Sequence, residues 1–301
     1  MNTNEDLPRR SRSGYVAIIG RANVGKSTLL NTLLDHKLAI VSSKPHTTRH
    51  KLLGVINGRD FQIALLDTPG YLRKGRDQLD SSMRGQTASA IGEADAVVLV
   101  VEPRPPGDVE TSFMRSLSEL DMPAVLAINK VDTVQKAKLL PVIQAYTETH
   151  PFLHIVPISA IQADGTDALL ASIRDSLPEQ EPIFPAGVLT DRSVRFLCSE
   201  IIREKVFLNY EHEVPYDVAV EIDDFEEREG DTPDLIRGII YVGKPSQKLL
   251  LIGKGGEALK KVGVEARLEI EQLTGRRAFV DLWVRVNVNW RSKAGFIQRT
   301  L

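Results

Sequence analysis

Residues 20–28 read Gly-Arg-Ala-Asn-Val-Gly-Lys-Ser-Thr, a G-x-x-x-x-G-K-S pattern, and no other stretch of the chain restricts its folding as much. The apolar run Tyr15-Val16-Ala17-Ile18-Ile19 before it reads as a short strand, and Thr28 to Leu34 after it as a helix. Strand, glycine-rich loop and helix N-terminus together wrap backbone N–H groups around phosphate oxygens. The glycines permit the close approach, and the helix dipole adds partial positive charge at the same point. Lys26 is placed to reach β- and γ-phosphates, and Ser27 to offer a hydroxyl to Mg²⁺. Gly20, Asn23, Val24, Gly25, Lys26, Ser27 and Thr28 form the expected cradle. A glycine-rich turn that binds nothing is the competing reading, and the flanking strand and helix disfavour it.

With 301 residues the chain is long for one α/β domain of roughly 100–200, so two domains are expected. Its net charge of −2 excludes a uniformly basic nucleic-acid binder. The single cysteine, Cys198, rules out a disulfide within the chain and fits a reducing cytoplasm. It reads as core filling on a helix face. No apolar run approaches the roughly 18 residues of a membrane span. Residues 1–13 are polar, carry Arg9, Arg10 and Arg12, lack an apolar signal core, and read as a disordered tail.

Strands are expected over 51–56 and 59–66, joined by Asn57-Gly58 as a tight hairpin turn with positive φ at both residues. The second ends at Asp67-Thr68-Pro69-Gly70, where Asp67 could hold Mg²⁺ through water and the Gly70 N–H could meet a γ-phosphate. The polar loop 42–50 contains Thr47 and Thr48. Either could close on Mg²⁺, with Thr48 the preferred ligand. His46 and His50 lie in the same loop without a carboxylate beside them, which argues against zinc. The runs 96–101 and 124–128 read as strands buried on both faces. The second leads into Asn129-Lys130-Val131-Asp132. An ionised Asp132 accepts two hydrogen bonds at once, matching the adjacent N1–H and NH₂ of guanine. Lys130 would lie along the base and Asn129 would tie this loop to the phosphate loop. After a last strand at 155–158, Ser159-Ala160 could offer the Ala160 N–H to the guanine carbonyl.

All five motifs stand at strand C-terminal ends, where open α/β sheets bind ligands. Their order over residues 14–177 resembles the Ras-like translation-factor class of GTPases. The resemblance implies a P-loop domain with a mostly parallel sheet, GTP/GDP as nucleotide, and Mg²⁺ on Ser27, Thr48 and Asp67. It makes Lys26, Thr48, Asp67 and Gly70 the catalytic set. Tyr71 replaces the water-orienting Gln of Ras-like enzymes. Asn23 could hold K⁺, as in some bacterial GTPases with an Asn here, or serve as a turn residue.

Pro178, Pro182 and Pro185 mark 178–189 as a linker. Beyond it, residues 190–301 read as a smaller α+β domain. Thr190-Asp191 can cap a helix lined by Val194, Leu197, Cys198, Ile201 and Leu208. Tyr216, Val218, Val220 and Ile222 alternate as a strand, the acidic run 221–231 reads as a solvated hairpin loop, and 236–242 as the next strand. An apolar helix then ends at Gly253-Lys254-Gly255-Gly256, a second helix carries Leu259, Val262, Ala266, Ile270 and Leu273, and Val280 to Val288 alternate as a last strand. The order αββααβ around G-x-x-G matches a KH domain, whose G-x-x-G brings backbone amides to a sugar–phosphate chain. From residue 241 onward there are twelve Lys or Arg against five Asp or Glu, a local basic excess of seven. Trp283 falls opposite the valines of its strand, to pack on a helix or on RNA.

A GTPase domain followed by a KH domain resembles the Era family of bacterial ribosome-assembly GTPases. Pro45 to His50, Thr190 to Ser193, Ser199 to Lys205, Ile252 to Gly256 and Leu282 to Val286 carry the resemblance. It implies GTP hydrolysis, binding near the 3′ end of 16S rRNA, action in assembly of the small ribosomal subunit, a cytoplasmic monomer, and peripheral membrane association. Two other readings stand beside it: an RNA-binding module whose GTP site is structural and does not turn over, and a tRNA-modifying GTPase. The second lacks a modification domain and a suitably placed cysteine.

Overall fold

The computed structural model describes residues 11–42, 44–71 and 77–300. Arg9 and Arg10 of the expected tail lie outside the described residues. The chain forms two compact units. Of the described residues, the first takes 11–39, 48–71 and 82–191, the second 40–42, 44–47, 77–81 and 192–300.

The first unit follows the hydrophobic pattern. It runs β1 (Ser11–Ile19), α1 (Lys26–Leu34), β2 (Leu52–Asn57), β3 (Phe61–Asp67), most of α2 (Gln78–Glu93), β4 (Ala96–Val101), α3 (Asp108–Glu119), β5 (Ala124–Ile128), α4 (Leu139–Thr149), β6 (His154–Pro157), α5 (Thr166–Asp175) and β7 (Glu179–Gln180). The sheet order is β2-β3-β1-β4-β5-β6, with β7 beside β1. The pairs β1–β3, β1–β4, β4–β5 and β5–β6 are parallel, and β2 is antiparallel to β3. The six residues of β4 and the five of β5 are all buried, as strands covered on both faces must be.

Three expectations need correction here. Ser11 to Ser13, assigned to the tail, lie in β1, where Arg12 pairs with Phe61. The Arg12 guanidinium donates to the carbonyl of Leu177 at 2.7 Å, just beyond α5, so this arginine serves a helix end. The β2–β3 hairpin closes at Asn57 opposite Gln62, a four-residue turn in which neither Asn57 nor Gly58 has positive φ. A longer turn needs no left-handed residues, and Gln62 Nε2 donates to Asn57 Oδ1 at 2.8 Å across its base. The proline-rich 178–189 groups with the first unit. Phe184 and Val188 pack on its core, and Gln62 Oε1 accepts the amides of Ile183 and Phe184 at 2.7 and 2.8 Å. Prolines restrict regular structure here to the two residues of β7, but the apolar side chains between them still find a surface to cover.

The second unit contains α6 (Val194–Asn209), β8 (Val218–Glu226), β9 (Asp234–Val242), α7 (Pro245–Ile252), α8 (Glu257–Thr274), β10 (Ala278–Val286) and α9 (Ala294–Thr300). Its sheet order is β10-β9-β8, with β10 parallel and β8 antiparallel to β9. Cys198, Ile202, Val206, Ile240, Val262 and Ala266 centre its core. The N-cap of α6 is Ser193, which accepts from the Phe196 amide, in place of Thr190 or Asp191. Val194 and Leu208 are exposed. The acidic run is shorter as a loop than expected, because Glu221 to Glu226 continue β8. Tyr216 and Val288 fall outside the strands they were assigned to. Trp283 is 56% exposed, and its indole N–H donates to Asp281 at 3.0 Å. Sequence periodicity did not reveal the short helix α9, which carries Phe296 against Trp290 and Tyr241.

Candidate nucleotide site and nucleic-acid groove

In the first unit β1 delivers the phosphate loop, and α1 begins at Lys26 with Gly25 as a left-handed cap. Gly25 has φ +97°, and a Cβ there would lie 2.3 Å from Asn129 Nδ2, so only glycine fits. Asn129 explains the closeness. Its Nδ2 donates to the Val24 carbonyl at 2.8 Å, and its Oδ1 accepts the Ala160 amide at 2.9 Å. One buried side chain thus joins the phosphate loop, the end of β5 and the loop after β6.

Lys26 is 6% exposed and its ammonium donates to the carbonyls of Arg21 at 2.9 Å and Gly20 at 3.3 Å. Burial pulls its pKa down to about 8, partly offset by the Asp67 carboxylate. Asp67 is fully buried, and burial pushes it up to about 6, with Lys26 and hydrogen bonds from Ser27 and the Thr68 backbone opposing. Both shifts come from burial, which outweighs the attraction between the two groups. A triphosphate and a divalent cation would favour the charged forms.

The oxygen donors expected to hold Mg²⁺ are together. Ser27 Oγ donates to Asp67 Oδ2 at 2.7 Å and lies 2.8 Å from Thr48 Oγ1. Asp67 Oδ1 is buried with no hydrogen-bond partner. Hydroxyls and one carboxylate are the hard ligands Mg²⁺ takes, with water or phosphate completing the shell, so the residues fit the ion. Thr47 is directed elsewhere, its hydroxyl donating to the Lys44 carbonyl at 2.7 Å. Among the described residues no cluster of three or more His, Cys, Asp or Glu could hold a metal.

Gly70 lies flat on the phosphate loop: a Cβ there would come within 2.7 Å of Ala22 Cα. The Tyr71 amide donates to the Gly20 carbonyl at 3.2 Å. Its ring packs edge-on to Phe113, 5.1 Å between centroids, against the core. Asn23 has φ 64°. Thr28 stands in the first turn of α1.

On the guanine side, Asp132 Oδ1 accepts from the Ser159 hydroxyl at 2.6 Å, which fixes the carboxylate. The Ala160 amide, assigned to the guanine carbonyl, donates to Asn129. Lys130 is drawn to a residue that the motifs did not name: its Nζ donates to Glu102 at 2.7 Å. Glu102 directly follows β4, and an acidic residue at that strand end was the available signal.

In the second unit Gly253-Lys254-Gly255-Gly256 joins α7 to α8. Gly255 has φ +62°, and a Cβ there would meet nothing within 4 Å, so the loop backbone is open to a ligand. Beside it lies a groove of about 460 Å³ between α8 and β10. Gly256, Leu259, Gly263, Val264, Phe279 and Leu282 line it, with the cations Lys260 and Arg267. An apolar trough flanked by positive charge next to exposed backbone amides suits unstacked bases with their phosphates outside. Sequence reasoning found the loop and missed the trough, because periodicity assigns α8 and β10 as elements without saying which of their side chains leave a gap between them.

Comparison with known proteins agrees with both units. Residues 15–130 match the family model described as 50S ribosome-binding GTPase, and residues 213–291 match that of the KH domain. A GTPase Era of Geotalea daltonii is 45% identical over 92% of this chain and 93% of its own. That of Geobacter metallireducens is 46% identical over 93% and 94%. A crystal structure of Aquifex aeolicus Era bound to GDP·AlF₄⁻ superposes with a TM-score of 0.93 at 36% identity, covering 96% of this chain and 98% of that one. Era in complex with MgGDPNP and nucleotides 1506–1542 of 16S ribosomal RNA gives 0.92 at 38% identity, with coverage of 96% and 98%. The chain belongs to the GTPase Era family.

Proposed function

We propose that this GTPase binds GTP with Mg²⁺ at the loop 20–28 and grips the 3′ region of 16S rRNA in the groove beside Gly253–Gly256, acting in assembly of the small ribosomal subunit. The observation that carries the nucleotide half is the convergence of Ser27, Thr48 and the half-satisfied Asp67 beside buried Lys26. The RNA half is supported by the groove, the local basic excess and the likeness to an Era solved with that RNA.

The chain's own groups divide the work. Lys26 and the loop amides hold the β- and γ-phosphates, and Gly70 brings its amide against the same loop. When bound, Mg²⁺ neutralises charge developing on the phosphate oxygens; Ser27, Thr48 and Asp67 would hold it. Tyr71 lacks the amide that orients water in Ras-like enzymes, and its ring packs edge-on to Phe113. Asp132, steadied by Ser159, selects guanine.

Finer points belong to the same proposal. K⁺ is assigned to Asn23, whose left-handed backbone equally suits a plain turn residue, and hydrolysis rates in K⁺ against Na⁺ decide. A cytoplasmic site of action is supported by one buried, unpaired cysteine. Among the described residues no helix is long and apolar enough to cross a membrane. A monomeric state and peripheral membrane contact stand on the family resemblance alone.

Single-turnover GTP hydrolysis, run with and without a 3′-terminal 16S rRNA fragment, tests the whole. Mg²⁺-dependent release of phosphate together with saturable fragment binding is expected. Binding of the fragment no tighter than that of an unrelated single strand of equal length would remove the rRNA assignment.

A further inference from the structure

After β4 the chain runs from Glu102 to Glu110 in the first turn of α3, and two carboxylates on this connection hold cations of the nucleotide loops. Glu102 accepts from Lys130 Nζ at 2.7 Å. Glu110 accepts from Arg21, the residue after Gly20 in the phosphate loop. Arg21 Nε is 2.8 Å from Oε1 and its Nη2 is 3.1 Å from Oε2. Arg104 stands between them, 2.8 Å from Glu110 and 3.9 Å from Glu102.

The plain explanation of Glu110 is helix capping, since it also accepts the Gly107 amide at 3.1 Å. A cap needs no charge and no guanidinium, yet this carboxylate meets two guanidinium groups, those of Arg21 and Arg104, with its side chain only 3% exposed. Burial opposes its ionisation; the hydrogen bond from Arg21, the backbone amides and the charge on Arg104 overcome that and hold it below the usual carboxylate range. The Arg21 main chain is equally committed, its carbonyl accepting Lys26 Nζ at 2.9 Å. Glu110 therefore fixes, through one residue, the backbone on which the phosphate-binding lysine rests.

We propose that Glu110 and Glu102 are positioning residues for the guanine nucleotide, Glu110 holding the phosphate loop through Arg21 and Glu102 holding Lys130, with Arg104 joining the two. The inference rests on the assignment of residues 20–28 as the phosphate site. A loop freed from Glu110 samples conformations that do not close on phosphate, so bound nucleotide leaves faster.

The test is stopped-flow release of a fluorescent GDP analogue from the full chain, with melting of the nucleotide-free protein alongside. Glu110→Gln keeps a capping acceptor and removes the charge. Glu110→Gln and Arg21→Gln are each expected to speed release about tenfold, and the double variant no more than either, because both remove one interaction. Glu102→Gln should speed it only about threefold, its pair with Lys130 being more than a third exposed. Wild-type release from Glu110→Gln with a lowered melting temperature would reduce Glu110 to a helix cap and overturn the proposal, as would additive effects in the double variant. Should Glu110→Gln not fold, Arg21→Gln carries the same test from the loop surface, and wild-type release from it overturns the proposal. Lys26→Ala separates the two levels. If it binds GDP like wild type, the phosphate site itself is misassigned. If it loses GDP while Glu110→Gln and Arg21→Gln release it normally, only the positioning role falls.

Discussion

The nucleotide site and the G-x-x-G groove solve opposite problems. In the first, Lys26, Asp67, Asn129 and Ser159 are nearly or fully buried, and each side chain has a hydrogen-bond partner within the site. In the second, Gly255 faces open space and the recognition surface is backbone plus apolar wall. A site built from interlocked side chains gains selectivity and tolerates little change. A site built from shape and exposed amides tolerates change until something blocks the approach.

Asp132→Asn strikes the interlocked site hardest. It should weaken GTP binding sharply and favour xanthosine triphosphate, whose carbonyl replaces the NH₂ that Asp132 accepts. Mispairing buried polar groups shifts such selectivity by about 10⁴-fold. Calorimetric titration of both nucleotides checks this, and unchanged GTP affinity would remove Asp132 from the base.

Placing the same substitution in both sites sharpens the contrast. Gly25→Ala forces a Cβ to within 2.3 Å of Asn129 Nδ2 at a positive φ. Nucleotide affinity should fall about 10²-fold, the cost of one or two lost buried contacts. Gly255→Ala also has positive φ but meets nothing, so only left-handed strain of about 1–2 kcal/mol applies, less if the loop relaxes. RNA affinity should drop no more than about 30-fold. Equal losses in nucleotide and RNA titrations would erase the distinction.

The smallest effect is one of pH. In the nucleotide-free protein burial lowers Lys26 to about 8, and bound triphosphate must restore its charge. Binding then takes up a proton once pH exceeds 8, so affinity falls with rising pH, by about tenfold from pH 7 to 9. Titrations in buffers of different ionisation enthalpy measure the uptake directly. No uptake at pH 8 would mean that Lys26 is already charged there.

The same contrast governs what the amino-acid order revealed. Phosphate and guanine motifs are legible because each fixes residue type and spacing within a few positions at a strand end. Glu102 and Glu110 were not, because their partners Lys130 and Arg21 lie 28 and 89 residues away. The KH element order was legible from periodicity, whereas the trough between Val264 and Phe279 exists only after α8 meets β10. The hairpin at Asn57 misled because a dipeptide prone to a tight turn sits in a four-residue one, where Gln62 supplies the closing bond. The tail boundary misled because Arg12 looks like solvated charge until the α5 terminus is there to receive it.

The central claim is that two sites of different construction serve two ligands. It is tested most directly by the paired substitution Lys254→Asp with Gly255→Asp, read in two titrations on one preparation. The carboxylate at 255 extends beyond the methyl position into the path of the sugar–phosphate chain, and the added negative charges repel phosphate. The account predicts loss of binding to a 3′-terminal 16S rRNA fragment with GTP affinity unchanged. In the wild type, log K should fall with log salt at a slope near −2 to −3, for about four gripped nucleotides at roughly 0.7 each. Intact RNA affinity in the variant, or loss of both ligands from a folded protein, would contradict it.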